Sequence, residues 1–272
     1  MSYQCPLCHQ ALLLKESRYQ CENKHQFDLA KEGYVNLMPA NQKRSKNPGD
    51  NKEMMQARRR FLESGHYAPL ATKVAEICQQ FLSKTQNRLL DIGCGEGYYT
   101  SQVQRSLTKS TPDATVYGLD ISKVAIRYAA KRYPACHFSV ASSHRLPFAD
   151  HSLDAVLRIY APCKAEELSR CTTESGLVIT VTPAARHLYQ LREKIYTDVR
   201  LHDETPENID GFTLCHQEKL HYKMTTAGQN TVDLLQMTPF AWKATEKLKQ
   251  SLLADSNFQC EADFQIRVYR KD

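Results

Sequence analysis

No run of eighteen apolar residues occurs anywhere in the chain, so no segment reads as a membrane-spanning helix. The start, Met-Ser-Tyr-Gln-Cys-Pro, lacks the basic and apolar blocks of a secretory leader. Together these absences lead us to expect a cytoplasmic protein with no membrane partner. Disulfide-like spacing is missing too. Of ten cysteines, Cys78, Cys94, Cys136, Cys163, Cys171, Cys215 and Cys260 are scattered, which suits small buried hydrophobes in a reducing compartment. Charge of one sign is scarce over most of the length. Residues 1–60 carry eleven Lys and Arg against six acids, and the remaining residues contribute only one of the net +6 charges. A basic front invites a polyanion, or simply solvates a surface, and charge alone does not separate the two.

What is present begins with Leu89-Leu90-Asp91-Ile92-Gly93-Cys94-Gly95-Glu96-Gly97-Tyr98-Tyr99-Thr100. An apolar strand breaks into a glycine-rich turn and then opens a helix. A second strand-like run, Val116-Tyr117-Gly118-Leu119-Asp120, ends on an acid. In a doubly wound sheet this makes a nucleotide-shaped crevice at the carboxyl ends of the strands. Glycines let the backbone approach a ligand, and Asp120 is placed to accept from ribose hydroxyls. The dinucleotide fingerprint is incomplete, because Tyr98 stands where its third glycine belongs. Asp91 and Glu96 beside the turn would repel a pyrophosphate and suit a cationic ligand, such as the ammonium and sulfonium of S-adenosylmethionine. The stretch resembles motif I of the class I methyltransferases.

Cys5-Pro-Leu-Cys8 and Cys21-Glu-Asn-Lys-His25 form two tight ligand pairs separated by twelve residues. Two such pairs complete a closed tetrahedral zinc site, which has no open position for water and is structural. A unit this small gains folding energy from its metal. His9 is a rival ligand, but its adjacency to Cys8 strains the geometry, so His25 is preferred. Residues 41–50 follow, polar and basic, and read as an exposed loop. Met54 to Leu62 reads as a helix bearing Arg58-Arg59-Arg60, and the flexible basic arm beside the zinc knuckle is suited to clamp phosphates.

The body alternates strands and helices. Helix 67–82 precedes a strand at 88–92, and a helix starts near Tyr98. Strands follow at 116–120, 137–141, 153–159 and 177–182. Ser122 caps a helix ending before Pro134, and another helix spans 165–171. This predicts a parallel, Rossmann-like doubly wound α/β sheet. From Phe258 to Val268 apolar and polar residues alternate strictly, predicting an antiparallel C-terminal edge strand with one polar face.

Leu146-Pro147-Phe148-Ala149-Asp150-His151-Ser152-Leu153-Asp154 is similar to a stretch common in S-adenosylmethionine enzymes. Add the zinc pairs, Lys31-Glu32-Gly33-Tyr34-Val35-Asn36-Leu37 and Tyr160-Ala161-Pro162-Cys163, and the chain resembles the 23S rRNA (guanine-N1)-methyltransferases along nearly its whole length. That resemblance implies a zinc-ribbon-like, RNA-reading domain (1–38), a basic linker and helix (39–62) and a class I methyltransferase domain (63–272). It implies a hairpin of 23S ribosomal RNA as substrate and, often, a homodimer. Carried onto this sequence, it puts S-adenosylmethionine at Gly93, Gly95 and Gly97 with Asp91, Tyr99 and Thr100 beside them. Asp120 takes the ribose, and Tyr67 and His187 lie near the cofactor. Ser142 stands where related enzymes carry an acid for the adenine amine.

Guanine N1 carries a proton, so methylation there needs a base or a donor for the developing charge on O6. The turn Arg158-Ile159-Tyr160-Ala161-Pro162-Cys163 holds no carboxylate, and the sequence names no catalytic residue. Arg158 is either that donor or half of a salt bridge. Pro162-Cys163 opens an alternative, a cytosine-C5 methyltransferase attacking through the Cys163 thiolate. A small-molecule methyltransferase is another alternative, although it has little use for a zinc knuckle and a basic arm.

Overall fold

A computed structural model describes residues 3–39, 52–82 and 87–272; the basic stretch 41–50 lies outside them. Strands β1 (Leu13–Lys15), β2 (Arg18–Gln20) and β3 (Gln26–Asp28) form a small antiparallel sheet. Next, β4 (Val35–Asn36) leaves this unit, and α1 (Lys52–Glu63) and α2 (Ala68–Phe81) lead into the body. The body runs β5 (Arg88–Ile92), α3 (Tyr98–Ser110), β6 (Thr115–Asp120), α4 (Lys123–Arg132), β7 (His137–Val140), β8 (Leu153–Ile159), α5 (Ala165–Cys171) and β9 (Thr172–Pro183). It closes with α6 (Tyr189–Glu193), β10 (Phe212–Thr226), α7 (Gln229–Gln236), α8 (Glu246–Ala254) and β11 (Phe258–Lys271).

The large sheet has the order β10-β11-β9-β8-β5-β6-β7-β4. Strands β4 to β9 pair in parallel, and β11 is antiparallel to both neighbours. The order reverses beside β5, which puts a topological switch point at the end of the glycine-bearing strand. Alternation along β5 divides the core: Leu89 packs with Leu70, Val74 and Val103 of α2 and α3, whereas Leu90 and Ile92 pack on the other face. There Leu168 and Cys171 of α5 share a cluster with Tyr3, Cys5, Leu12 and Cys21. The N-terminal unit thus shares the core of the body, and its β4 extends the large sheet through β7. Local signals act as the sequence implied: Ser122 Oγ accepts from the Ala125 N–H at 3.3 Å to start α4, and Pro134 follows its end.

Two strand expectations are corrected. The C-terminal strand is not the edge, because β10 lies outside it along its whole length. Nor is its polar face in water. Glu261, Asp263, Gln265 and Arg267 are all buried because segment 184–207 and β10 cover that face and supply partners. Arg186 and Gln190 reach Glu261, Glu204 reaches Gln265, and Gln217 reaches Arg267. The fifth parallel strand also begins earlier than Leu177. Its register against β8 slips between Leu153 and Ala155, so the turn around Gly176 is a bulge inside one strand. Among the described residues no helix is long and apolar enough to cross a membrane.

Candidate active site and metal centre

A cavity of about 970 Å³ opens at the carboxyl ends of the parallel strands. Asp91 and Gly93 after β5, Asp120 after β6, Tyr160 after β8 and Pro183 after β9 all line it. The turn at its floor needs left-handed backbone, with φ of 70°, 55° and 79° at Gly93, Gly95 and Gly97, a region costly to side-chain-bearing residues. A Cβ on Gly95 would meet nothing within 4 Å, whereas one on Gly97 would come within 2.8 Å of Phe138. Gly95 therefore keeps a ligand space clear, and Gly97 lets α3 pack on the sheet.

Asp91 is 2% exposed and accepts a 2.6 Å hydrogen bond from Thr100 Oγ1. Burial pushes its carboxyl up to about 7, partly opposed by that hydroxyl. Asp120 accepts from the Gly95 N–H at 3.0 Å and the Ser122 N–H at 2.8 Å. Its pKa is raised by burial, with both N–H groups pulling the other way. One carboxylate thus ties the turn to the second strand, holding the crevice in shape. His187 is buried against Phe264 at 4.7 Å, and its Nδ1 accepts from the Asp263 N–H at 3.3 Å. Burial holds it down to about 3, so the ring is neutral with its proton on Nε2. Tyr67 packs edge-on to Phe61 and Phe264.

Seven of the nine residues expected at the cofactor line this cavity: Tyr67, Asp91, Gly93, Gly95, Tyr99, Asp120 and His187. Gly97 and Thr100 do not; one shapes the turn and the other holds Asp91. Ser142 is outside as well, lining a separate small pocket while its hydroxyl accepts from the His144 N–H. Glu96 lies in the cavity but is neutralised by Arg59 at 2.6 Å, so Asp91 and Asp120 carry the acidic character of the floor. The arginine run of α1 is engaged within the protein. Arg58 lines the cavity near Asp120, Tyr99 and Glu96, Arg59 also stacks over Tyr128, and Arg60 pairs with Asp233. Met55, Arg58 and Leu62 share a helical stripe, and that spacing is the signal pointing Arg58 inward.

The turn after β8 excludes the thiolate alternative. Cys163 does not line the cavity, its Sγ donates to the Ser143 carbonyl, and burial pushes the thiol up to about 11. Arg158 is buried, pairing with Glu207 and donating to the Cys163 carbonyl. It is structural.

Outside the cavity lining, Cys5, Cys8, Cys21 and His25 bring their ligand atoms within 4.8 Å of one another. Each half of the cluster is closed by a backbone bond to its first cysteine: the His9 N–H bonds the Cys5 carbonyl, and the Lys24 N–H bonds the Cys21 carbonyl. His9 stays outside the cluster. The Gln10 backbone N–H holds the Cys8 thiol down to about 6, favouring the thiolate a metal requires. Three sulfurs and one imidazole at this spacing fit tetrahedral zinc.

Sheet order, crevice and acidic floor together define a class I methyltransferase with an added Cys3His module. Residues 83–233 match a family profile described as a methyltransferase domain, and residues 3–46 match one described as RlmA, N-terminal. The chain is 33% identical to YxjB of Bacillus subtilis (strain 168), a candidate 23S rRNA (guanine-N(1)-)-methyltransferase, over 93% of this chain and 91% of that one. It is 31% identical to the 23S rRNA (guanine(748)-N(1))-methyltransferase of Streptomyces fradiae, over 88% and 85% of the two chains. A demethylmenaquinone methyltransferase of Thermotoga maritima, 32% identical, spans only 36% of this chain and 39% of its own. The chain belongs to the 23S rRNA (guanine-N1)-methyltransferase family.

Proposed function

We propose that this protein methylates N1 of a guanine in a hairpin loop of 23S ribosomal RNA, with S-adenosylmethionine as donor and a structural zinc ion in the N-terminal unit. One observation carries the reading: a glycine-floored crevice with Asp91 and Asp120 at its base and a closed Cys3His cluster are built on a single shared core. A small-molecule enzyme needs the first and not the second.

In this reading Asp91, Gly93, Gly95 and Tyr99 hold the amino-acid part of the donor, and Asp120 takes the ribose hydroxyls. Tyr67 and His187 close the far wall, where neutral His187 offers an Nε2–H without adding positive charge. Gly97 and Thr100 act indirectly, through the turn and through Asp91. The donor supplies a methyl carbon already activated by its sulfonium. The chain's own contribution is to align two reactants and to keep fixed carboxylates near a cation. Residues 1–38 read the RNA, 39–62 link, and 63–272 carry the chemistry.

The test is methylation of hairpin RNA fragments in vitro, with the modified base and atom mapped by mass spectrometry. We expect N1-methylguanine in a loop. Methylcytosine, or methylation of metabolites and not RNA, would overturn the proposal.

A further inference from the structure

Five carboxylates line the cavity: Glu63, Asp91, Glu96, Asp120 and Asp198. Four are engaged. Arg132 holds Glu63 at 2.6 Å, Arg59 holds Glu96, Thr100 holds Asp91, and backbone N–H groups hold Asp120. Asp198, on the segment after α6, is exposed to the cavity and has no hydrogen bond or ion pair among the described residues. Its neighbour in function is Arg192, which also lines the cavity. Arg192 Nη2 donates to the Arg200 carbonyl, tying the guanidinium to the Asp198 segment, while Nη1 is buried without a partner among the described residues. A shielded N–H lacking an acceptor is costly, and a ligand oxygen would relieve it.

We propose that Asp198 and Arg192 form the subsite for the Watson–Crick edge of the target guanine, with Asp198 as the base at N1 and Arg192 Nη1 as the donor to O6. This deepens the assignment of guanine-N1 methylation and rests on it. As N1–H breaks, its proton passes to the Asp198 carboxylate. The electron pair left on N1 forms the bond to the methyl carbon, and the carbon–sulfur pair returns to sulfur, leaving a neutral thioether. Charge that develops on O6 is met by Arg192, and Asp198 then loses its proton to solvent. The second carboxylate oxygen accepts from the N2 amine. Adenine would present an amine to Arg192 and no N1 proton, so the pair also selects the base.

Other polar groups border this end of the cavity: Tyr196, Arg200 and His202. Of these, His202 is the rival base. Its ring is held by the His187 backbone, and burial together with Arg192 lowers its proton affinity from the ordinary imidazole range; an H202N variant separates its part from that of Asp198.

The test uses full-length enzyme on a hairpin whose guanine the wild type methylates at N1, with kcat, KM and adenosylhomocysteine affinity measured separately. D198N should lower kcat by about 10²–10⁴-fold, the usual worth of a positioned base, while leaving adenosylhomocysteine affinity within about twofold. Its residual rate should climb about tenfold per pH unit toward alkali, as hydroxide replaces the missing base. R192M should lower kcat at every pH. Inosine at the target, lacking the N2 amine, should slow the wild type, whereas D198A, which keeps no acceptor at that position, should not distinguish inosine from guanine. A D198N enzyme within about threefold of wild-type kcat, or one inactive only through lost adenosylhomocysteine binding, overturns the proposal. So does a pH-rescuable loss in H202N with D198N unaffected. A wild type that never modifies N1 overturns the parent assignment instead.

Discussion

Asp91 is a buried carboxylate whose pKa is raised from 3.8 to about 7, first by burial, with Thr100 pulling down and Asp120 pushing up. Its sign is the reverse of a salt-bridged acid. The folded, ligand-free protein holds this proton more tightly than the unfolded chain, so the group opposes folding as pH rises from about 4 to about 7. A bound ammonium favours the ionised form and drives the proton off. Donor binding at about pH 6 should therefore release close to one proton, falling to almost none by about pH 8. Calorimetry in buffers of different ionisation heat reads that number directly, and D91N should abolish it. Unchanged proton release in D91N would show that another group takes the cation. Thr100 sets how costly this acid is. T100V removes its donor while keeping the shape, and should cost about 1–3 kcal/mol of stability in denaturant titrations.

At the scale of elements, strand β5, its turn and α3 were legible because an apolar run, left-handed glycines and a helix coincide within a dozen residues. The zinc knuckles were legible for the same reason: ligand spacing is local. What escaped was decided by distant chain. The alternation of β11 reads correctly as a strand, but nothing local reveals that β10 lies outside it or that segment 184–207 covers its polar face. Arg58 was legible only by helical stripe, and Arg192 and Asp198 not at all, since a short helix and an irregular segment leave no periodicity to read. The turn itself yields a contrast between two glycines. A side chain at Gly95 meets nothing within 4 Å but, like one at Gly97, sits in left-handed backbone, so G95R should fold at a cost of about 1–2 kcal/mol and lose adenosylhomocysteine binding. A methyl at Gly97 meets Phe138 at 2.8 Å in a left-handed conformation, so G97A should lower stability by about 1–3 kcal/mol. Paired thermal melts and calorimetry separate these outcomes; G97A matching wild type in both would mean the turn relaxes freely.

Across the whole molecule, the N-terminal unit and the body are not beads on a string. Tyr3 packs against Tyr117 at 5.7 Å and Phe148 at 5.3 Å, Cys5 and Cys21 are buried in the same cluster as Leu90 and Ile92, and β4 pairs with β7. Metal binding energy is therefore folding energy for the sheet as well as for the knuckles. An independent zinc domain would melt separately and leave the body's transition where it was. A shared core predicts one transition that moves as a unit. Replacing Cys8, the one cysteine of the cluster that is not buried, by serine should weaken RNA binding. It should also remove about 3 kcal/mol, lowering the single Tm by roughly 6–12 °C for a chain of this size. Chelation should reproduce the shift and zinc should reverse it. Adenosylhomocysteine affinity, measured well below the transition, should change by no more than about twofold, because none of the four cluster residues lines the cavity. Two separate calorimetric transitions, with the upper one unmoved by chelator, would break the shared-core account while leaving the catalytic assignment standing.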